Sequence, residues 1–88
     1  MPDIYHVIHG RRYRIEFAPL RNDHGICTDP KLPGATITIA DNLAPEDQLA
    51  TILHESLHAA GWWISEEWID ETAADLASLL LRLGYRKQ

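Results

Sequence analysis

The segment His54-Glu55-Ser56-Leu57-His58 holds the residues of this chain best suited to chemistry. Two histidines four residues apart lie on one side of a helix, with Cβ atoms about 5–6 Å apart. Their imidazoles can then converge on one ion at distances of about 2.0–2.1 Å, as in zinc sites. Glu55 lies beside them, where its carboxylate can take a proton from a water molecule that the ion activates. We therefore predict a metal site with His54 and His58 as ligands and Glu55 as general base.

A helix over residues 45–61 is expected to position these side chains. Pro45 suits the first helical position, and Glu46 and Asp47 complement the positive end of the helix dipole. Gly61 marks the end of this helix. Apolar residues recur with helical spacing and predict the face that enters the core: Leu49, Ile52, Leu53, Leu57 and Ala60. The histidines and Glu55 fall on the opposite side of the helix.

A second helix over residues 66–83 follows, with Ser65 as its cap and Gly84 at its end. Its predicted core stripe consists of Ile69, Ala73, Leu76, Leu80 and Leu83. The two helices are expected to form a hairpin, and we expect a small sheet before them in the sequence. Two strands are predicted at 4–8 and 13–17, and a turn at 9–11 joins them. A short third strand is predicted near 26–28, and a fourth at 35–40, where β-branched residues alternate. The sequence thus predicts a single α+β domain over residues 1–88.

The third ligand is sought on the second helix, because a catalytic zinc site usually has three protein ligands. Glu67, Glu71 and Asp75 form an acidic stripe there, and Asp70 projects away from it. With the turn centred near residues 64–65, Glu71 lies level with His58 at a rise of about 1.5 Å per residue. Asp75 lies level with His54 and is expected to support that imidazole. Glu67 remains an alternative ligand, as does a solvated stripe that binds no metal.

Charge and cysteine content restrict the partners and the compartment. Eight Lys and Arg against 13 Asp and Glu give a net charge of −5, which argues against nucleic acid as a partner. Arg11, Arg12 and Arg14 are expected on a solvated hairpin. The sequence has no membrane-spanning run and no signal-peptide layout at its first residues. Cys27 is the single cysteine, so we expect a reducing cytoplasm, with Cys27 and His24 not acting as ligands.

His54-Glu55-x-x-His58 followed by Glu71-x-x-x-Asp75 resembles the gluzincin branch of the zincin metallopeptidases. The strand at 35–40, a short link and the motif helix are also similar to small phage and bacterial zincins, including peptidase domains of the ImmA/IrrE type. The resemblance covers roughly residues 35–83. It implies one Zn²⁺, a third ligand at Glu71 and a supporting Asp75. The spacer between His58 and Glu71 is shorter than in the larger gluzincins.

The resemblance also implies an activity: hydrolysis of a peptide or protein substrate that pairs with the strand at 35–40. For additional stabilisation of the reacting carbonyl oxygen, Tyr13, Tyr85, His9 and His24 remain open. The three tryptophans around the helical turn, Trp62, Trp63 and Trp68, are expected to cover the core rather than line a cleft. Two alternatives are a zincin-fold binding or regulatory module that docks a partner protein, and a helical hairpin in which the motif is accidental.

Overall fold

A computed structural model describes residues 3–29 and 31–86. Four strands precede two helices: β1 (Ile4–Ile8), β2 (Arg11–Ala18), β3 (Gly25–Cys27), β4 (Thr36–Ala40), α1 (Pro45–Ala60) and α2 (Glu66–Arg82). This order confirms the predicted α+β class. The first two and the last two residues of the predicted 1–88 domain lie outside the described ranges. The first two are among the residues on which the signal-peptide expectation rests. Neither helix has the length and apolar character to cross a membrane.

β1 and β2 form a hairpin with a two-residue loop at the predicted turn. Ile8 pairs with Arg11, and His9 and Gly10 both have positive φ, at 50° and 81°. Two-residue hairpin loops favour this left-handed conformation because it matches the twist of the flanking strands. Gly10 adopts it without the steric cost that a Cβ would bring.

The sheet has the order β1-β2-β4-β3. β2 pairs with β4 in parallel, and β3 pairs with β4 antiparallel, with Gly25 opposite Ile39. β4 therefore has a neighbour on each side, and β3 is an edge strand. The strand predicted over residues 35–40 is confirmed as β4, which begins one residue later, and the strand order places it inside the sheet.

The core lies between the inner face of this sheet and α1, and α2 packs against α1. Tyr13, Ile37 and Ile39 form its buried centre. Tyr13 is on β2, and Ile37 and Ile39 are two residues apart on β4, so they point to the same face of the sheet. α1 contacts β3, β4 and α2, so it is covered on two sides.

The helices differ in part from the predicted pattern. On α2, Ile69 and Ala73 are buried as predicted, but Ala77 is buried in place of Leu76, and Leu83 is exposed. Residues 69, 73 and 77 are four apart and form one stripe, whose two alanines allow close packing. On α1 the two buried residues are the polar Thr51 and Glu55, whereas the predicted apolar face is only partly buried. This helix turns its motif side inward because that side faces both β3 and α2.

Candidate metal centre

The two motif histidines face each other on the side of α1 that meets α2. Their Nε2 atoms are 3.1 Å apart, and the rings make an edge contact with centroids 4.8 Å apart. Both rings are mostly covered, with 18% and 15% of the side chains exposed at His54 and His58. The one-turn spacing of the motif has therefore brought two imidazole nitrogens to a single point, as predicted.

Glu66 completes this cluster. One of its carboxylate oxygens lies 2.8 Å from His54 Nε2, and the other lies 2.8 Å from His58 Nε2. In the part of the chain that the structure describes, these three residues form the group of His, Cys, Asp and Glu side chains close enough to hold one ion. Glu66 is the first residue of α2, and its side chain is 69% exposed, so the cluster lies at the rim of the helix pair.

The donor set fits a metal ion better than it fits a hydrogen-bonded network. If both Nε2 atoms carried protons to donate to Glu66, two donors would face each other at 3.1 Å. An ion among the three groups removes this conflict, because each nitrogen then presents a lone pair. Tetrahedral zinc with bonds of about 2.0–2.1 Å requires ligand atoms roughly 3.3–3.4 Å apart. The observed separations of 2.8–3.1 Å are near this value, so a small expansion accommodates zinc.

The structure does not bring the predicted third ligand, Glu71, or its alternative, Glu67, to the histidines. Both are exposed residues of α2 outside the three-residue group. The prediction placed the centre of the helical hairpin too late in the chain. The pair His58–Glu66 is symmetric about Trp62 rather than about residues 64–65. Moving the centre to Trp62 shifts the residue level with His58 from Glu71 to Glu66.

The supporting carboxylate changes in the same way, from Asp75 to Asp70. Asp70 Oδ1 lies 3.6 Å from His54 Nδ1, whereas Asp75 is exposed on α2 outside the cluster. This distance exceeds a hydrogen bond, so Asp70 acts on His54 as a nearby negative charge. Glu66 and Asp70 have the same four-residue spacing as Glu71 and Asp75. An acidic pair with this spacing, beginning directly after the capping Ser65, was the sequence signal that could have identified Glu66.

Two local features fix this register. Ser65 caps α2 by accepting a hydrogen bond from the Trp68 amide at 3.2 Å, as predicted. Gly61 ends α1, and its amide donates to the Leu57 carbonyl. A Cβ at Gly61 would lie 2.5 Å from Ile64 Cδ1. The absence of a side chain at Gly61 therefore lets Ile64 fold back, and the turn is tight enough to put Glu66 opposite His58.

Glu55 is buried, with only 7% of the residue exposed, and lies against β3. A Cβ at Gly25 would be 2.9 Å from Glu55 Cγ and 3.0 Å from Oε2. Burial raises the pKa of the Glu55 carboxyl; His54 opposes this increase, and the Glu66 and Asp23 carboxylates add to it. Within the described ranges, no hydrogen bond reaches the Glu55 carboxylate. It is therefore free to accept a proton from a group in the cleft.

An open cleft of about 850 Å³ contains the cluster and Glu55, and is bounded by α1, α2 and β3. Among the four residues left open for stabilising a carbonyl oxygen, His24 lines this cleft. Tyr13 is in the core, and Tyr85 and His9 are exposed elsewhere. Contrary to prediction, Trp62 lines the cleft, with its ring centroid 5.7 Å from that of His58. Trp63 and Trp68 are exposed and do not cover the core.

Cys27 also lines the cleft, but it is not one of the three residues that could share an ion. Its thiol lies 3.7 Å from the Thr28 carbonyl oxygen. Burial raises the pKa of Cys27 to about 11, and the nearby Glu55 carboxylate adds to the increase. The thiol is therefore protonated at neutral pH.

No family model, curated protein sequence or solved structure matches this chain. The geometry of the cleft is thus the basis for a functional proposal.

Proposed function

We propose that this protein is a minimal zinc-dependent peptidase in which His54, His58 and Glu66 hold the ion. The observation that carries the proposal is the convergence of two imidazole nitrogens and one carboxylate, 2.8–3.1 Å apart, beside the buried Glu55. Two His and one Glu form a ligand set used by hydrolytic zinc enzymes, in which a fourth position stays open. A bound zinc ion would supply an activated water and polarise the scissile carbonyl.

Glu55 is the general base in this proposal. Its carboxylate lines the cleft, accepts no hydrogen bond from the described residues and has a raised pKa. A base whose pKa lies nearer to the working pH can both accept a proton and return it to the leaving amine. Zinc would oppose the increase in this pKa, because a nearby cation favours the carboxylate form.

β3 is the strand that we propose to bind the substrate. The resemblance implied residues 35–40, but both edges of β4 are paired, so its backbone cannot accept another strand. In the described part of the chain no strand pairs with the outer edge of β3, and its three residues line the cleft. An extended peptide could add to that edge through backbone hydrogen bonds. Because the single cysteine is a free thiol, we propose a reducing cytoplasm as the compartment.

The test combines metal analysis and cleavage for four forms of the full chain: wild type, Glu66→Gln, Glu71→Gln and Glu55→Gln. We expect about one zinc per wild-type chain. Glu66→Gln should weaken zinc binding, whereas Glu71→Gln, the matched control on the same helix, should not. Glu55→Gln should keep zinc and lose about 10²–10⁴-fold in cleavage of an unbiased peptide library. Zinc should also raise the free energy of unfolding, by roughly 2.7 kcal/mol at a hundredfold excess over its Kd.

Each other outcome has a defined meaning. Normal zinc binding by Glu66→Gln would exclude Glu66 as a ligand, and cleavage by Glu55→Gln would exclude Glu55 as the base. Zinc binding without cleavage by the wild type would favour a regulatory module that docks a partner protein. Failure of the wild type to bind zinc would support the remaining alternative, a helical hairpin in which the motif is accidental.

A further inference from the structure

The cleft has a one-sided charge distribution. Five carboxylates line it: Asp23, Asp47, Glu55, Glu66 and Asp70. The chain has eight Lys and Arg, yet none is among the described residues that line the cleft. Within residues 3–29 and 31–86, no lysine or arginine forms an ion pair with any of the five. Their negative charge therefore borders the space that a substrate would occupy, and no described lysine or arginine lining the cleft balances it.

A bound metal ion does not neutralise this space. A divalent cation offsets two of the five ionised carboxylates and leaves three net negative charges. Glu55 adds to this charge from the cleft wall, because only 7% of the residue is exposed and its carboxylate accepts no hydrogen bond from the described residues. A cleft lined by charges of one sign concentrates ligands of the opposite sign. The cleft should therefore attract a positively charged ligand.

Resting on the peptidase function above, we propose that the substrate is a basic peptide with an apolar residue on the other side of its scissile bond. Asp47 lies on α1 seven residues before His54, which corresponds to about 10 Å along the helix. An extended peptide advances about 3.3–3.4 Å per residue, so Asp47 is level with the third residue from the metal. A Lys or Arg at that position would meet its carboxylate.

The opposite end of the cleft is apolar. Trp62 and Ile64 follow the end of α1 and line the cleft beyond His58. The Trp62 ring contacts the His58 ring, so it borders the metal site directly. An aromatic or aliphatic side chain next to the scissile bond can pack there. One end of the cleft thus favours a basic side chain and the other an apolar side chain, which defines the direction in which the substrate would bind.

The experiment uses ten-residue peptides with Phe beside the scissile bond and Lys, Gln or Glu at each other position in turn. The ratio of kcat/KM for Lys over Gln peptides should be about ten for the wild type at low salt, and should decrease in high salt. Asp47→Asn combined with Asp23→Asn should bring the ratio close to one. Glu46→Gln is the matched control, because Glu46 is also in the first turn of α1 but does not line this cleft. It should leave the ratio unchanged.

Binding separates this inference from the proposed activity. Zinc-loaded Glu55→Gln protein should bind the preferred Lys peptide about ten times more tightly than its Gln counterpart by isothermal titration. Equal binding of the two peptides would overturn the inference, whether or not the wild type cleaves either of them. Tighter binding of the Lys peptide without wild-type cleavage would support the inference and refute the peptidase.

Discussion

Substitution of Gly25 by alanine tests how the edge strand β3 positions Glu55, the proposed general base. The added methyl group would lie 2.7 Å from Thr51 Cγ2, 2.9 Å from Glu55 Cγ and 3.0 Å from Glu55 Oε2. Unstrained carbon atoms pack at about 3.5–4.0 Å. The strand and the helix must therefore separate by up to about 1 Å, or Glu55 must rotate. Gly25 is needed here for close approach.

Two magnitudes follow from this overlap. Overpacking of this kind costs about 1–3 kcal/mol of stability. A displacement of about 1 Å at a reacting group can reduce the rate about 10²-fold. The proposed metal ligands lie where α1 contacts α2, away from Gly25, so zinc binding should change much less than cleavage. Gly25→Ala should thus produce a folded but less stable, zinc-loaded protein with a large loss in kcat/KM.

The assays are urea unfolding, zinc content and peptide cleavage, each repeated with Thr51→Ser present. That second change deletes Cγ2, the atom nearest to the added methyl, and leaves the contact with Glu55. The double variant should recover part of the stability without recovering cleavage. If Gly25→Ala unfolds and cleaves like the wild type, the close packing described for β3 and α1 is wrong. If Thr51→Ser restored cleavage as well, the effect would arise at Thr51 rather than at Glu55.

Two further predictions concern the cap and the thiol. Ser65→Ala should lower the free energy of unfolding by about 0.5–2 kcal/mol in urea, and the exposed Ser78→Ala on the same helix should not; equal losses would refute the cap. Because the folded Cys27 pKa of about 11 exceeds its ordinary value of 9.0, this thiol stabilises the fold below pH 9, and the stabilisation is lost as pH rises to about 11. Its alkylation should be slow near pH 8 and become ordinary in urea, and rapid alkylation of the native protein would contradict the burial.

Local sequence signals predicted most of the fold. The alternating strands, the hairpin turn at His9 and Gly10, and the cap at Ser65 each depend on a few adjacent residues. The motif histidines were also predictable, because one helical turn fixes their separation. The identity of the core residues on α2 was less accessible, since Ala77 and Leu76 are neighbours and only the packing of α2 against α1 selects between them.

The position of Glu66, the proposed third ligand, could not be derived in this way. This position depends on where the turn between the two helices is centred. If the centre shifts by two or three residues, the residue of α2 that lies level with His58 changes by about five. The tight turn at Gly61 arises from the packing of Ile64 against it, which is a contact that periodicity does not reveal. The edge position of β3 likewise follows from the order of strands in the sheet, which the pattern of each strand leaves open.

The proposed metal ligands and the proposed general base share α1 but depend on different contacts of that helix. The two histidines, Glu66 and Asp70 all belong to one continuous helical hairpin, whereas the placement of Glu55 relies on Gly25, far upstream on an edge strand. In the proposed enzyme, affinity for the ion would thus depend on the helical hairpin alone, and alignment of the base would also require the assembled sheet. In the proposed enzyme, release of β3 alone would leave a metal-binding protein without hydrolytic activity. Evolution could therefore convert such a peptidase into a metal-dependent binding module by loosening a single strand.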